Sequence, residues 1–224
     1  MKKSTIIILI SFLAVLAIGA GLIWSGTRNP TFNNENTNTN LNINTDNYQN
    51  TNKVLGSSVT RNTNSQPMTY TFPGVLASEK IDNKKAVMLT SKGTIEFNLK
   101  SKESPKTVSN FVYLAENGFY DGLTFHRVVT GFVIQGGDPH GTGQGGPGYQ
   151  FEDETVKGDY IEGAVAMANS GPNTNGSQFF ITLTDQTGKL PKQYNLFGQV
   201  TKGMEVVKNI AVGDRIEKIT ITNQ

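Results

Sequence analysis

The sequence predicts a mainly β domain, on two observations. Beyond residue 68 the apolar residues fall into eight short strand-like runs set between turn-forming residues, and only two stretches carry helical spacing. Many short strands with few helices point to a barrel or a sandwich and away from a parallel α/β sheet. A closed barrel with helices plugging its ends is the economical form, because closure removes the unpaired edges that open sheets present.

Taken in chain order, residues 86–90 and 94–99 read as strands around a Ser91-Lys92-Gly93 turn, with Ile95, Phe97 and Leu99 alternating onto one face. Ser104 is placed to cap a helix that starts with Pro105. Val108, Phe111, Val112 and Ala115 fall at i, i+3, i+4 and i+7 before Gly118 stops it. Further strands are expected at 125–129, 132–135, 163–167, 179–183, 196–200 and 216–222. A second short helix through Met204, Val207, Lys208 and Ala211 is expected to end at Gly213.

The preceding third of the 224-residue chain has a different character. Lys2 and Lys3 precede an apolar run from Ile6 to Trp24, whose helical length of about 29 Å matches a bilayer core of roughly 30 Å. Residues 1–25 therefore read as a membrane anchor with the lysines in the cytoplasm and Trp24 at the far interface. A cleaved signal peptide is the competing reading, since Ala17-Ile18-Gly19 offers a small-x-small site. Either way the domain is exported. Residues 26–67 are rich in Asn and Thr and poor in apolar residues, so they cannot offset their chain entropy and read as a disordered linker. Its flexible reach is roughly 35 Å. Residues 68–224 form the one globular domain, large enough for a well-buried core.

Composition removes several function classes. The net charge of +2 comes without a Lys/Arg run beyond short pairs, so no nucleic-acid footprint is present. The absence of cysteine excludes disulfides and thiolate chemistry. Residues 141–146, Gly-Thr-Gly-Gln-Gly-Gly, formally match a dinucleotide pattern, but Pro147 and Gly148 follow where a helix would have to begin. A flexible glycine loop crossing the surface is the simpler reading. The two histidines, His126 and His140, are too few for a metal centre with cysteines absent. Ser177 lacks the GxSxG elbow of a hydrolase.

Two segments remain unexplained by these exclusions. In residues 125–138, FHRVVTGFVIQGGD, Arg127 and Gln135 lie in two strand-like pieces separated by Thr130-Gly131, so a bend there could bring both to one face beside Phe132. An ordinary ion pair for Arg127 and a core position for Phe132 would satisfy the spacing equally well. Residues 171–180, GPNTNGSQFF, join Asn-rich turn chemistry to a polar amide and paired aromatics, which delivers Gln178 beside an aromatic wall.

Together, FHRVVTGFVIQGGD and MANSGPNTNGSQFF (167–180) resemble the cyclophilin family of peptidyl-prolyl cis-trans isomerases. The resemblance spans the globular part, through Ser104-Pro105-Lys106-Thr107 and Asn110-Phe111 to Leu196-Phe197-Gly198 and Gly203-Met204. It implies an eight-stranded antiparallel closed barrel capped by two helices, with a proline-binding groove on its outer face. It implies no cofactor and no metal, because rotation about an X-Pro bond makes and breaks no covalent bond.

By that resemblance Arg127 and Gln135 are catalytic, the arginine aimed at the prolyl nitrogen and the glutamine orienting it and bonding the substrate backbone. Phe132, Val133, Ala168, Asn169, Gln178, Phe180, Leu190, Tyr194 and Phe197 bind substrate: apolar residues grip the proline, the Asn169 main chain holds the peptide, and Gln178 adds a polar contact. His126 is expected to support rather than catalyse. Two positions depart from many eukaryotic members. Tyr194 replaces a histidine, and Lys189 replaces a tryptophan important for cyclosporin, so weak cyclosporin inhibition is implied. Proline-containing polypeptides are the implied partners, folding of exported proteins the implied role, and a monomer the implied state of the globular domain. A proline-segment binding module or chaperone without turnover is the alternative, disfavoured because a pure binder has no need of the arginine.

Overall fold

A computed structural model describes residues 69–224, and the proposed anchor (1–25) and linker (26–67) lie outside the described residues. Among the described residues no helix is long and apolar enough to cross a membrane. The elements run α1 (Ser78–Ile81), β1 (Lys84–Thr90), β2 (Gly93–Leu99), α2 (Pro105–Glu116), β3 (Arg127–Val129), β4 (Val133–Gly136), β5 (Ala164–Met167), β6 (Phe179–Thr182), β7 (Leu196–Lys202), α3 (Met204–Asn209) and β8 (Ile216–Asn223). All eight expected strands are present within a few residues of their expected bounds. Helix α3 stops before Ala211, and α1, a single turn, was not expected.

The strands form one antiparallel sheet in the order β3-β4-β6-β5-β7-β2-β1-β8. The expected closure is not reached: β3 and β8 do not pair as strands, and the sheet curls into a half-barrel. The seam between them is spanned by the bridge Thr124–Arg215 and by loop bonds such as Phe125 N–H to Asp214 O at 2.9 Å and Ile216 N–H to Leu123 O at 2.8 Å. Loop backbone thus covers the edges that closure would have removed.

Side chains alternate across the strands and fill two apolar layers. On the concave side, Ile95, Phe97, Val165, Met167, Phe179, Ile181 and Phe197 join α2 in the main core. Phe111 of α2 is its hub, with ring centroids 5.1 Å from Phe197, 5.2 Å from Tyr120, 5.6 Å from Phe97 and 6.0 Å from Phe179. On the opposite side a smaller cluster holds Val133, Tyr160, Ala164, Ala166, Phe180, Leu190 and Leu196. Because both faces of the central strands are covered, β5 and β6 are buried at every position.

Helix α2 begins with Pro105 after Ser104, as expected, but Ser104 does not cap it with its side chain. Its hydroxyl donates instead to Leu196 O at 2.8 Å. The carboxylate of Glu154 takes the capping role from 47 residues away, accepting the Lys106 and Thr107 N–H groups at 2.9 Å each and the Thr107 hydroxyl at 2.6 Å. A carboxylate at a helix N-terminus satisfies orphan donors and meets the positive end of the dipole. Replacing Glu154 with alanine is therefore expected to cost about 1–2 kcal/mol of stability, read by chemical denaturation.

Candidate active site

The segment from Arg127 to Gly136 folds as a β3–β4 hairpin, with Phe132 N–H donating to Val129 O at 2.9 Å across the Thr130-Gly131 turn. The register sets Arg127 opposite Gln135, so both side chains leave the same face. Arg127 Nη1 donates to Gln135 Oε1 at 3.2 Å, and Gln135 Nε2 donates to Gln178 Oε1 at 3.0 Å. Gln178 Nε2 in turn donates to Gly145 O at 2.9 Å. Among the described residues Arg127 enters no salt bridge, so the ordinary ion-pair reading fails. The guanidinium is exposed, and among the described residues its other donors meet no protein acceptor.

Gln178 reaches Gln135 because β4 and the start of β6 approach closely. Gly137 follows β4 at φ +85°, and a Cβ there would stand 2.4 Å from Ser177 O, so no larger residue fits. The Ser177 hydroxyl locks the approach by donating to Gly137 O at 2.7 Å.

Beside this polar run lies the outer apolar cluster. Val133, Phe180 and Leu190 belong to the outer cluster, and Phe132, Ala168 and Tyr194 pack against it while remaining partly exposed. The rings of Phe180 and Tyr194 meet edge-on at 5.5 Å. Tyr194 is held by a residue the sequence reading missed: the Tyr160 hydroxyl donates to Tyr194 O at 2.7 Å and accepts from Tyr194 N–H at 3.0 Å. Burial pushes the Tyr160 hydroxyl up to about 12, so it stays a donor at neutral pH. Only this distant pairing identifies Tyr160, and no local signal in the sequence does.

Asn169 lines a cavity with Gln135, Ala168 and Gln178, its Nδ2 donating to Gln193 O at 2.9 Å. Ten of the eleven residues expected at the site thus fall in the hydrogen-bonded polar run, the outer apolar cluster or the cavity wall beside Gln135. Phe197 is the exception. It is 0% exposed and packs in the main core against Phe97 and Phe111, because Leu196, one residue earlier on β7, takes the outward face.

The glycine-rich stretch also differs from expectation. Instead of merely crossing the surface, residues 143–150 face Ala168, Asn169, Gln178 and neighbouring residues across a cavity of about 450 Å³ beside Gln135. Of that pattern's glycines, Gly143 and Gly146 line this cavity.

His126 stands beside Arg127 in the chain and is partly buried, with both ring nitrogens enclosed and unpartnered. Burial lowers its pKa, the Asp138 carboxylate opposes that shift and the Arg127 charge reinforces it. A folded-state value below the ordinary 6.5 leaves stability intact above about pH 6.5 and drains it as pH falls toward the folded value, since the unfolded chain takes the proton more readily. His126→Leu is expected to flatten that decline without lowering stability at pH 7.5. Denaturation midpoints of both proteins between pH 7.5 and 5 check this, and parallel profiles would refute it.

Comparison with known proteins covers the domain that carries these residues. The family model for cyclophilin type peptidyl-prolyl cis-trans isomerases matches residues 85–223. A peptidyl-prolyl cis-trans isomerase of Synechococcus elongatus is 46% identical over 138 residues, covering 61% of this chain and 94% of the relative. Peptidyl-prolyl cis-trans isomerase B of Bacillus subtilis is 48% identical over 136 residues, covering 60% and 94%. Among solved structures, a Cryptosporidium parvum cyclophilin type isomerase superposes with a TM-score of 0.59 at 35% identity, covering 63% of this chain and 98% of its own. The same protein crystallised in the presence of the dipeptide Ala-Pro gives a TM-score of 0.58, also at 35% identity. The matched span holds every strand but the first residue of β1, along with Arg127 and Gln135, and on this basis the chain belongs to the cyclophilin-type peptidyl-prolyl cis-trans isomerase family.

Proposed function

We propose that the groove accelerates rotation about X-Pro bonds with Arg127 as the electrostatic catalyst. The barrier to that rotation, roughly 18–20 kcal/mol, comes from the double-bond character of the amide C–N bond. In the twisted state the conjugation is lost and a lone pair localises on the prolyl nitrogen. A guanidinium aimed at that nitrogen binds the twisted state better than either planar isomer, which is what catalysis requires.

The observation that carries this reading is the run Arg127–Gln135–Gln178, hydrogen-bonded link by link beside the outer apolar cluster, whose Phe132, Val133, Phe180 and Leu190 we take as the proline slot. The slot grips the proline ring, and the Asn169 main chain, next to Ala168, holds the peptide across the bond. One side is thereby fixed while the other turns. The Ala-Pro dipeptide used with the Cryptosporidium relative supports proline-containing peptides as the ligand class. The test compares isomerisation of an X-Pro peptide by the full chain and by Arg127→Ala. An unchanged rate in the variant would remove Arg127 from the mechanism.

The proposed setting is the outer face of a membrane, where the domain assists folding of exported proteins. Lys2 and Lys3 before the apolar run to Trp24, then the Asn/Thr-rich linker, support this arrangement. Protease added to intact cells is expected to degrade the domain while a cytoplasmic marker survives. Protection of the domain until the cells are lysed would count against export.

A further inference from the structure

We infer that Asp138 is a positioning residue for the isomerase site, clamping the glycine loop whose Gly145 carbonyl anchors the Gln178–Gln135–Arg127 run. This rests on the reading of Arg127 as the working group.

Asp138 is 1% exposed and follows β4 by two residues. A carboxylate so enclosed needs several donors, and here they come from backbone. The N–H groups of His140 at 2.8 Å, Thr142 at 2.9 Å and Gly143 at 2.5 Å donate to it. Burial alone would raise its pKa, but these amides together hold it below the usual carboxylate range, so the clamp stays charged at neutral pH. The fit at Gly145 is tight: a Cβ there would stand 1.9 Å from Asp138 Oδ1. The loop is thereby pinned by one buried charge at the place where its carbonyl receives Gln178 Nε2. From there the chain of amides continues to Arg127 Nη1. The mechanism does not use Asp138 directly, since it is buried beneath the loop. Its effect must travel through Gly145 O.

Two substitutions in the full chain test this. Asp138→Asn removes the charge and sets an NH2 group among N–H donors, and Gly145→Ala leaves the carboxylate in place but forces the loop away from it. Each is expected to lower kcat/KM for an X-Pro peptide on the order of 10- to 100-fold, as misplacing a catalytic group does. Each should also shift the NMR resonance of the Arg127 Nε–H. In cycles with Gln178→Ala, the double variants should be no slower than the slower single variant, because both changes break one relay. If Asp138→Asn fails to fold, Gly145→Ala and its cycle decide alone. Wild-type kcat/KM per folded molecule, an unmoved Arg127 resonance or additive losses would overturn the inference while Arg127→Ala remains impaired. Full activity in Arg127→Ala would overturn both this and the reading of the site.

Discussion

Arg127→Ala is expected to lower kcat/KM by about 10²- to 10³-fold, the usual loss when one preorganised donor to a transition state is removed. The fall should appear in kcat as fully as in kcat/KM if, as proposed, the guanidinium acts on the twisted amide while the slot holds the planar peptide. Stability should change by no more than about 0.5 kcal/mol, since the side chain is exposed and among the described residues makes one hydrogen bond, at 3.2 Å. Arg127→Lys is not a rescue: an ammonium keeps the charge but lacks the planar fork that both meets Gln135 and faces the substrate. Single-turnover isomerisation and a denaturation curve on the same samples separate chemistry from folding.

The second large effect distinguishes two phenylalanines that read alike in sequence. Phe197→Ala is expected to cost about 3–5 kcal/mol of stability, a large share of the 5–15 kcal/mol typical of a domain. The ring is 0% exposed and stands 5.1 Å from Phe111, the hub of the main core. Activity per folded molecule should be nearly unchanged. Phe132→Ala should do the reverse. Its ring is partly exposed at the slot, so little folding energy is lost, but the apolar wall that grips proline is removed and kcat/KM should fall by roughly 10- to 100-fold. If Phe197→Ala loses activity at full stability, its assignment to the core is wrong and it lines the groove after all.

The Phe197 correction shows where sequence reasoning reaches its limit. Periodicity identifies an inward face only when the other face is polar. Leu196 and Phe197 are both apolar because β7 is covered on both sides there, so alternation carries no signal. The same condition does not apply to Arg127 and Gln135. Their hairpin is local, its turn is marked by Thr130-Gly131, and the antiparallel register follows within a few residues. Gln178 is intermediate: its aromatic context marks it as part of a site, but its bond to Gln135 depends on the close approach at Gly137.

Elements set by neighbours in the chain were therefore determined by the sequence itself: the strands, helix α2 starting at Pro105, the Arg127–Gln135 pair and, through its motifs, the family. Tertiary structure alone decided what depends on distant partners. It leaves β3 and β8 unpaired, so the barrel stays half open; it brings Glu154 to cap α2 and Tyr160 to hold Tyr194; and it turns the glycine stretch into a pinned wall. The physical reason is common to all four. Local spacing dictates which way a side chain leaves its own strand or helix, while the group it meets there is set by the packing of segments far apart in the chain.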